Sequence, residues 1–293
     1  MGMSAESYSS GGNANSADAD ILFIADSLFR EGRDVEVCLS LLKSALPESS
    51  DKRKSSEVLW RMSRCCLLLG EKETSKNLKR SRFGDGISYA EQAIKADKSN
   101  HNAYMWRSAN VGRNCQLDNI MTQASKVPLM LADFSMILDT LKRTDCSEAW
   151  QGLSEIYFHH PFKSDDSAAN FARKALMTIP EGELRLSTYL FFATLLEKRG
   201  KDASQRSSDI SRNAKKQNQI SETEKCAVLD GALGVEFVPK WATKALGKMS
   251  DSEEALMAVE YALKLYASKS HHTVIDNEDY THLIEFKRKY SGN

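Results

Sequence analysis

The chain has 293 residues, and its 41% hydrophobic content is sufficient for a folded core. Lysine plus arginine and aspartate plus glutamate number 40 each, which excludes a global field that would draw the protein to nucleic acid or to an anionic membrane. Only five prolines and 15 glycines occur, and runs that alternate apolar and polar residues are essentially absent. The sequence therefore predicts an all-α protein with short connections.

Residues 1–18 are rich in serine, glycine, asparagine and alanine and contain almost no large apolar side chain. Such a segment cannot bury enough apolar surface to offset its ordering entropy, so we predict a disordered tail. No apolar core follows a basic region here, and no apolar run in the chain reaches the length of a membrane span. We therefore expect a cytoplasmic protein with neither a signal peptide nor a membrane span.

The chain after this tail is predicted to form helices in consecutive pairs. In the first pair, Gly32 ends one helix and Asp34 is a good N-cap for the next. In the second pair, Gly70 weakens the first helix, and the polar run EKETSKNLKRSRFGDG is predicted to separate it from the second helix. A later helix is predicted to start at Pro128, because proline favours the first helical position, and to run to about Lys142.

The most regular pattern is centred on Trp150. Its first half has the spacing W-x2-L-[G/S]-x2-Y, and its second half, after a turn, has the spacing A-x3-A-x2-A-x4-P. The residues concerned are Trp150, Leu153, Ser154, Tyr157, Ala168, Ala172, Ala175 and Pro180. This is the two-helix tetratricopeptide pattern. One such unit cannot bury its own apolar face and must stack on neighbours, so residues 19–218 are predicted to form a tetratricopeptide-like helical-repeat solenoid.

Residues 219–293 break the repeat pattern and are predicted to form a helical C-terminal extension that caps the last repeat. Helices are predicted there at 222–232, 238–248, 251–269 and 276–290. The third of these has the clearest pattern, because Ser250 or Asp251 can cap it and a continuous apolar helix face follows.

Several short motifs in the repeats occur in a recognisable order. They are EVLWRMSR at Glu57–Arg64, YAEQAIK at Tyr89–Lys95, the Tyr104 and Trp106 pair before Gly112, the Pro128–Leu141 helix and the Trp150 repeat. In these motifs the segment from Glu57 to Arg199 resembles the regulator of microtubule dynamics family, which consists of divergent tetratricopeptide proteins linked to the spindle and, in some members, to membranes. The resemblance implies a non-enzymatic, microtubule-associated factor of the cytoskeleton or spindle, with no catalytic residue to carry over.

Polar and basic side chains on the first helices of the pairs are candidates for partner binding. In tetratricopeptide stacks these helices usually line the ligand groove. Arg61 and Arg64 share a helix face at i, i+3 spacing, as do Arg107 and Asn110. Together with Arg113 they could form a basic wall for an acidic peptide or a C-terminal carboxylate. The alternative is that these side chains form salt bridges with nearby carboxylates, namely Glu57, Glu71 and Asp118.

Further basic clusters fall in predicted loops or on polar helix faces. The helix predicted from about Asp202 to Asn218 has a basic outward face with Arg206, Arg212, Lys215 and Lys216. The other clusters are Lys52 to Lys54, Lys76 with Lys79, Arg80 and Arg82, and Lys198 with Arg199 and Lys201. They are interpreted either as a solvated surface or as patches for an acidic partner such as the tubulin tails. RNA is not predicted, because the aromatic residues occupy helix core positions instead of lying among the basic ones.

The sequence lacks the HExxH, GxSxG, P-loop and GxGxxG patterns of known catalytic or cofactor sites. The adjacent pairs His159–His160 and His271–His272 do not have the i, i+4 spacing of helical metal sites and are interpreted as surface turns. The six cysteines have no framework spacing and are interpreted as buried, reduced thiols. We therefore expect no enzymatic activity, no cofactor and no metal.

Three functions are compatible with these patterns. The first is a microtubule- or spindle-associated scaffold that binds an acidic partner through basic repeat surfaces. The second is a general tetratricopeptide adaptor or co-chaperone that clamps a peptide tail. The third is a lipid-binding helical protein in which Leu129, Met130 and Met136 line a tunnel. The partner in the first two is a protein or peptide, and none of the three involves nucleic acid.

Overall fold

The computed structural model of the protein describes residues 14–31, 34–46, 51–159, 165–214 and 236–291. In these ranges the regular structure is helical and no strand occurs, so the predicted all-α class is confirmed. The α-helices are α1 (Ala14–Glu31), α2 (Val35–Ser44), α3 (Lys52–Lys72), α4 (Lys76–Ala96), α5 (His101–Cys115), α6 (Ile120–Ser135), α7 (Ser147–His159), α8 (Asp165–Thr178), α9 (Leu186–Arg199), α10 (Ala203–Ala214), α11 (Asp251–Ala267) and α12 (Val274–Ser291).

Consecutive helices pack against each other along the chain, as in a helical solenoid. The closest partners are α3 with α4, α4 with α5, α7 with α8, and α9 with α11. The buried apolar residues form successive clusters, one around α2 and α3, one from α5 to α8, and one that joins α8 and α9 to α11 and α12. Among the described residues, no helix combines the length and apolar character needed to cross a membrane.

The Trp150 repeat folds as the pair α7 and α8. Most of its pattern residues face the interior, with Trp150 1% exposed and Ala168 completely buried, whereas Pro180 after α8 is exposed. Trp150 stacks on Phe171 with 6.1 Å between the ring centroids. Ser154 Oγ donates a hydrogen bond of 2.7 Å to the carbonyl oxygen of Ala168. A small residue is needed at these positions because the two helix backbones approach closely.

The polar run after Gly70 is mostly helical, so only residues 73–75 separate the two helices and the predicted long separation is wrong. Helix α4 begins at Lys76 and includes most of this run. Lysine and arginine are good helix formers, and Phe83 buries one face of the run against α3. A Cβ atom at Gly70 would lie 2.4 Å from Cε1 of Phe83. Gly70 therefore makes room for the Phe83 ring instead of ending the helix.

Helix α6 begins eight residues before the predicted start at Pro128. Asn119 is its N-cap, and its Oδ1 accepts a hydrogen bond of 3.0 Å from the backbone N–H of Thr122. Pro128 lies inside the helix, where it has no N–H to donate to the preceding turn. The helix ends in a single π-helical turn, Met136–Thr140, and does not continue to Lys142, which adopts a left-handed conformation with φ 56°.

The N-terminal boundary also differs from the prediction. The backbone of α1 is already helical at Ala14, five residues before the predicted start of the helical repeats at residue 19. Residues 1–13 and Gly32 lie outside the described ranges. Asp34 precedes α2 as predicted, but it has a left-handed backbone with φ 50° and its side chain makes no capping hydrogen bond.

In the C-terminal extension, the helices predicted near 251–269 and 276–290 are confirmed as α11 and α12. Ser250 caps α11 through a capping box with Glu253. The predicted helix at 238–248 is wrong, because turns and a short 3-10 helix, Leu246–Lys248, occupy this stretch. Trp241 in this stretch is buried against Phe192 of α9. The helix predicted at 222–232 lies outside the described residues.

Candidate functional site

Arg61 and Arg64 of α3 do not form an open basic surface, because both bind Asp26 of α1. Arg61 binds it with two hydrogen bonds of 3.0 and 2.9 Å, and Arg64 Nη2 lies 2.6 Å from the same carboxylate. Arg61 also bridges Glu57 at 2.8 Å. Burial raises the pKa of Asp26, but the two arginines outweigh this effect and lower it below its usual value. The carboxylate therefore remains ionised and neutralises much of this part of the predicted wall.

Arg107 of α5 is also held inside the protein. It pairs with Asp133 of α6, which is 1% exposed and also accepts a hydrogen bond of 2.8 Å from Ser108 Oγ. Asn110 is completely buried, and its Nδ2 donates to the carbonyl oxygens of Ser63 and Trp106 at 3.1 and 2.9 Å. The prediction that Asn110 faces a partner is therefore wrong, because this amide joins α5 to α3.

Arg113 remains on the surface, 43% exposed, and its Nε lies 2.8 Å from Glu71. The alternative of local salt bridges is thus confirmed for Glu57 and Glu71. Asp118 pairs with Arg80 of α4 instead, at 2.7 Å. Since each arginine of the predicted wall has a carboxylate partner, these residues together do not present the strong positive potential that a C-terminal carboxylate would require.

Arg206 of α10 was predicted to face outward but is 1% exposed, so this part of the basic face is wrong. Its Nη2 binds Glu254 of α11 at 2.8 Å, and Glu254 also accepts a 2.8 Å hydrogen bond from Arg173 of α8. Arg212 is 64% exposed and pairs with Asp209. Lys215 and Lys216 lie outside the described residues.

The surroundings of Glu254 form a buried ionic cluster that joins four helices. Besides the two arginines, the indole N–H of Trp241 donates to Glu254 at 3.2 Å. Next to it, the fully buried Asp251 binds Arg199 at the end of α9 with contacts of 2.6 and 2.8 Å. Burial opposes the charge on Glu254, but the arginines prevail and lower its pKa to about 2. This cluster attaches α11 to α8, α9 and α10.

A mainly apolar pocket lies between α5, α6 and α7. It is a cavity of about 320 Å³ whose walls are mainly apolar. Its large apolar side chains are Leu67, Met105, Trp106, Ile120, Val127, Met130, Phe134 and Ile156. Gly112 and Gly152 also line it. A Cβ atom at Gly152 would lie 2.3 Å from the Phe134 ring, so this glycine allows α6 and α7 to approach closely.

Half of the polar residues on the pocket wall, including both of its glutamates, come from α7. Glu148 pairs with Arg185 at 2.6 Å. Burial by itself would raise the pKa of Glu148, but the charge of Arg185 has the larger combined effect, and the pKa lies below its usual value. Glu155 accepts a hydrogen bond of 3.1 Å from Gln151 and, within the described part of the chain, has no ion-pair partner. Burial lowers the pKa of His159, which favours the neutral imidazole near pH 7.

The sequence did not reveal this pocket. Arg113 alone among the predicted partner-binding residues lines it, and of the residues proposed for a lipid tunnel, Met130 lines it whereas Leu129 and Met136 do not. The sequence feature that could have indicated the pocket is the pair of glycines, Gly112 and Gly152, which lie among larger side chains on their helices. Their spacing within each helix does not tell which neighbouring helix they approach.

A basic edge is formed where the start of α3 meets the end of α4. Ser56 Oγ donates to the carbonyl oxygen of Ala93 at 2.9 Å, which places these two helix ends together. The exposed cations of this edge are Lys52, Arg53, Lys54, Lys95 and Lys98. Two carboxylates lie at the same edge: Asp51 caps α3, and Asp97 accepts hydrogen bonds from Ser99 and is also stabilised by the charge of Arg53. Both carboxylates keep their negative charge, but the five cations outnumber them. The edge therefore has local positive charge despite the neutral chain.

Five cysteines of the described residues, Cys38, Cys65, Cys66, Cys115 and Cys146, are buried and free, as the sequence predicted. The pKa of Cys66 and that of Cys146 are raised to about 12, mainly by burial. Cys226 lies outside the described residues. A thiol with so high a pKa is a poor nucleophile at neutral pH.

Comparison with known families adds to these observations. Residues 21–129 match the family model described as Regulator of microtubule dynamics protein 1-3. The predicted family resemblance is confirmed over this region. The match extends from α1 into α6, so it includes the basic edge and the α5 wall of the pocket, but not α7. It begins earlier than the predicted resemblance from Glu57 and does not extend over residues 130–199. No curated protein matches the chain.

Proposed function

We propose that the protein is a non-enzymatic scaffold of the microtubule cytoskeleton. In this proposal its tetratricopeptide-type helices act in the cytoplasm, at microtubules or the spindle, and bind the acidic C-terminal tails of tubulin. The observation that carries the proposal is the position of the basic edge within residues 21–129, the region that matches regulators of microtubule dynamics.

The basic edge suits an acidic, extended ligand. Lys52, Arg53 and Lys54 occupy the first turn of α3, where the helix dipole adds further positive potential. Lys95 and Lys98 lie at the adjacent end of α4 and are exposed. Exposed charges act over about 8 Å at physiological ionic strength, so the contact would be strongly salt-dependent. This surface replaces the arginine wall as the proposed contact for an acidic partner.

The test is co-sedimentation of the purified protein with taxol-stabilised microtubules at low and moderate salt, before and after subtilisin removes the tubulin tails. We expect pelleting at low salt that decreases at moderate salt and is lost with the tails. Absence of pelleting at low salt, or pelleting that does not depend on the tails, would overturn the proposal.

A charge-reversal variant locates the contact. Lys52→Glu, Arg53→Glu and Lys54→Glu together should weaken pelleting by about tenfold or more. The matched control reverses Lys264, Lys287 and Arg288, which changes the net charge equally but on α11 and α12, outside the basic edge. If both variants lose binding to the same extent, the effect is one of net charge and the assignment to the edge of α3 is wrong.

A further inference from the structure

We infer that the pocket between α5, α6 and α7 binds a basic amphipathic helix of a partner protein, through the apolar face of that helix. This site is separate from the basic edge and would operate whether or not the edge binds tubulin. It also differs in chemistry from the predicted arginine wall, because it selects apolar and cationic groups instead of carboxylates.

The apolar surface of the pocket continues onto an exposed rim. Ile120, which lines the pocket at the start of α6, is 60% exposed, and its neighbour Met121 is 77% exposed. Large apolar side chains next to a concave apolar site mark an interaction surface. Met105 and Met130 inside the pocket add flexible, polarisable side chains, which suit surfaces that accommodate helices of varied sequence.

The size of the site favours a helix over a compact ligand. The cavity of about 320 Å³ is at the lower limit for small-molecule pockets, and it accommodates a few apolar side chains. An occupant that also covers Ile120 and Met121 must extend beyond the cavity. An amphipathic helix does so with anchors at i, i+3, i+4 and i+7, which insert into one groove from one face.

The charged residues of the pocket favour a partner helix that is basic. Arg113 and Glu148 are each neutralised by a partner, Glu71 at 2.8 Å and Arg185 at 2.6 Å. Glu155 is thereby the pocket carboxylate without an ion pair in the described ranges. Lysine or arginine beside the apolar anchors would gain an ion pair with Glu155, whereas an acidic helix would be repelled.

The first test measures fluorescence anisotropy of two labelled designed peptides with the full-length protein. One peptide has leucine on one helix face and lysine on the other, and its counterpart has glutamate in place of every lysine. We expect the basic peptide to bind at least about tenfold more tightly than the acidic one. Equal affinity for the two peptides, or no binding of the basic one, would overturn the inference.

A glycine substitution places the contact in the pocket. A Cβ atom at Gly112 has ordinary contact with Met130 Sδ at 3.5 Å, so Gly112→Leu should project into the cavity without a backbone clash. We expect at least about tenfold weaker binding of the basic peptide. Gly84→Leu is the matched control, because this helix glycine in α4 has no atom within 4 Å of its added Cβ and lies outside the pocket.

The charge contribution is tested separately. Glu155→Gln should weaken binding of the basic peptide by about threefold to tenfold and reduce its salt dependence, while Glu285→Gln on α12 should have no effect. Three further results would overturn the inference: an unchanged affinity in Gly112→Leu, binding of a labelled fatty acid but not of the peptide, or self-association that is lost in Gly112→Leu without any peptide binding.

Discussion

Two arginine–carboxylate clusters join distant parts of the chain, and they differ in burial. In the first, Asp26 of α1 receives Arg61 and Arg64 of α3 while its own side chain remains 31% exposed. In the second, Glu254 of α11 receives Arg173 and Arg206, and all three side chains are at most 1% exposed. The same chemical pair therefore has different consequences, because water can replace a lost partner in the first cluster but not in the second.

The two clusters also differ in the groups that surround their charges, in keeping with their difference in burial. In the first, partly exposed cluster the guanidinium groups lie over aromatic rings, with Arg64 Cζ 3.8 Å from the Phe29 centroid and Arg61 Cζ 4.2 Å from that of Trp60. Such contacts stabilise a cation without removing it from water completely. In the buried cluster the carboxylate of Glu254 is surrounded by hydrogen-bond donors, because a buried charge requires nearly complete compensation.

The largest effect should come from removing the charge at the centre of the buried cluster. Glu254→Gln leaves Arg173 and Arg206 without their shared counter-charge and should lower the free energy of unfolding by about 3–5 kcal/mol. Urea denaturation measures this change. Glu260→Gln on the same helix is the control, because Glu260 is 42% exposed and pairs with Lys287 at the surface. A loss of less than about 1 kcal/mol in Glu254→Gln would contradict the assignment.

The stability contribution of Glu254 should depend on pH. Glu254 has a folded-state pKa of about 2, below its usual value of 4.5, so its stabilising contribution is complete above pH 4.5 and is lost as the pH falls towards 2. This contribution is about 3 kcal/mol at neutral pH. The stability difference between the native protein and Glu254→Gln should therefore decrease steadily as the pH is lowered from about 5 to about 2. A difference that stays constant with pH would show that ionisation of Glu254 is not its source.

A smaller loss of stability is expected at the first cluster, around Asp26. Asp26→Asn retains one acceptor oxygen and solvent access, so it should cost about 1–2 kcal/mol, and less at high salt. Urea denaturation at two salt concentrations measures both quantities. Asp85→Asn on the exposed side of α4 is the control and should change stability by less than about 0.5 kcal/mol. If Asp26→Asn costs as much as Glu254→Gln, burial does not distinguish the clusters.

The smallest effect concerns the helix that supplies Glu254. Ser250→Ala removes the capping box of α11 and should cost about 1 kcal/mol. Thermal unfolding measures it, with Ser268→Ala at the other end of α11 as the control, because that exposed hydroxyl only donates to the carbonyl of Leu265. An equal effect at both ends would contradict a specific role of the N-terminal cap in positioning the buried cluster.

Sequence patterns predicted the helices well where local rules determine them. The capping residue before α11 and the small residues of the Trp150 repeat had the predicted roles. The polar run after Gly70 and the region around Pro128 were predicted wrongly. In the first case Phe83 makes a contact with α3 that a polar composition does not reveal, and in the second the cap at Asn119 starts the helix before the proline.

The candidate site was predicted less well than the fold. The positions of the arginines on the first helices and two nearby partners, Glu57 and Glu71, could be inferred, but not the distant partners. Arg61 pairs with a carboxylate 35 positions away and Arg107 with one 26 away. Over such separations any exposed carboxylate is an equally good candidate until the helices are packed, because Coulomb attraction depends on distance in space.

By itself, the sequence determined that this protein is helical, where most of its helices lie and that they must stack, because helix periodicity, caps and unburied apolar faces are local properties. Only the tertiary structure decided which arginines are neutralised, that Arg206 and Asn110 are buried, and that α5, α6 and α7 enclose an apolar pocket with an acidic group on its wall. These features arise from contacts between residues far apart in the chain, and they determine which surfaces remain available to a partner.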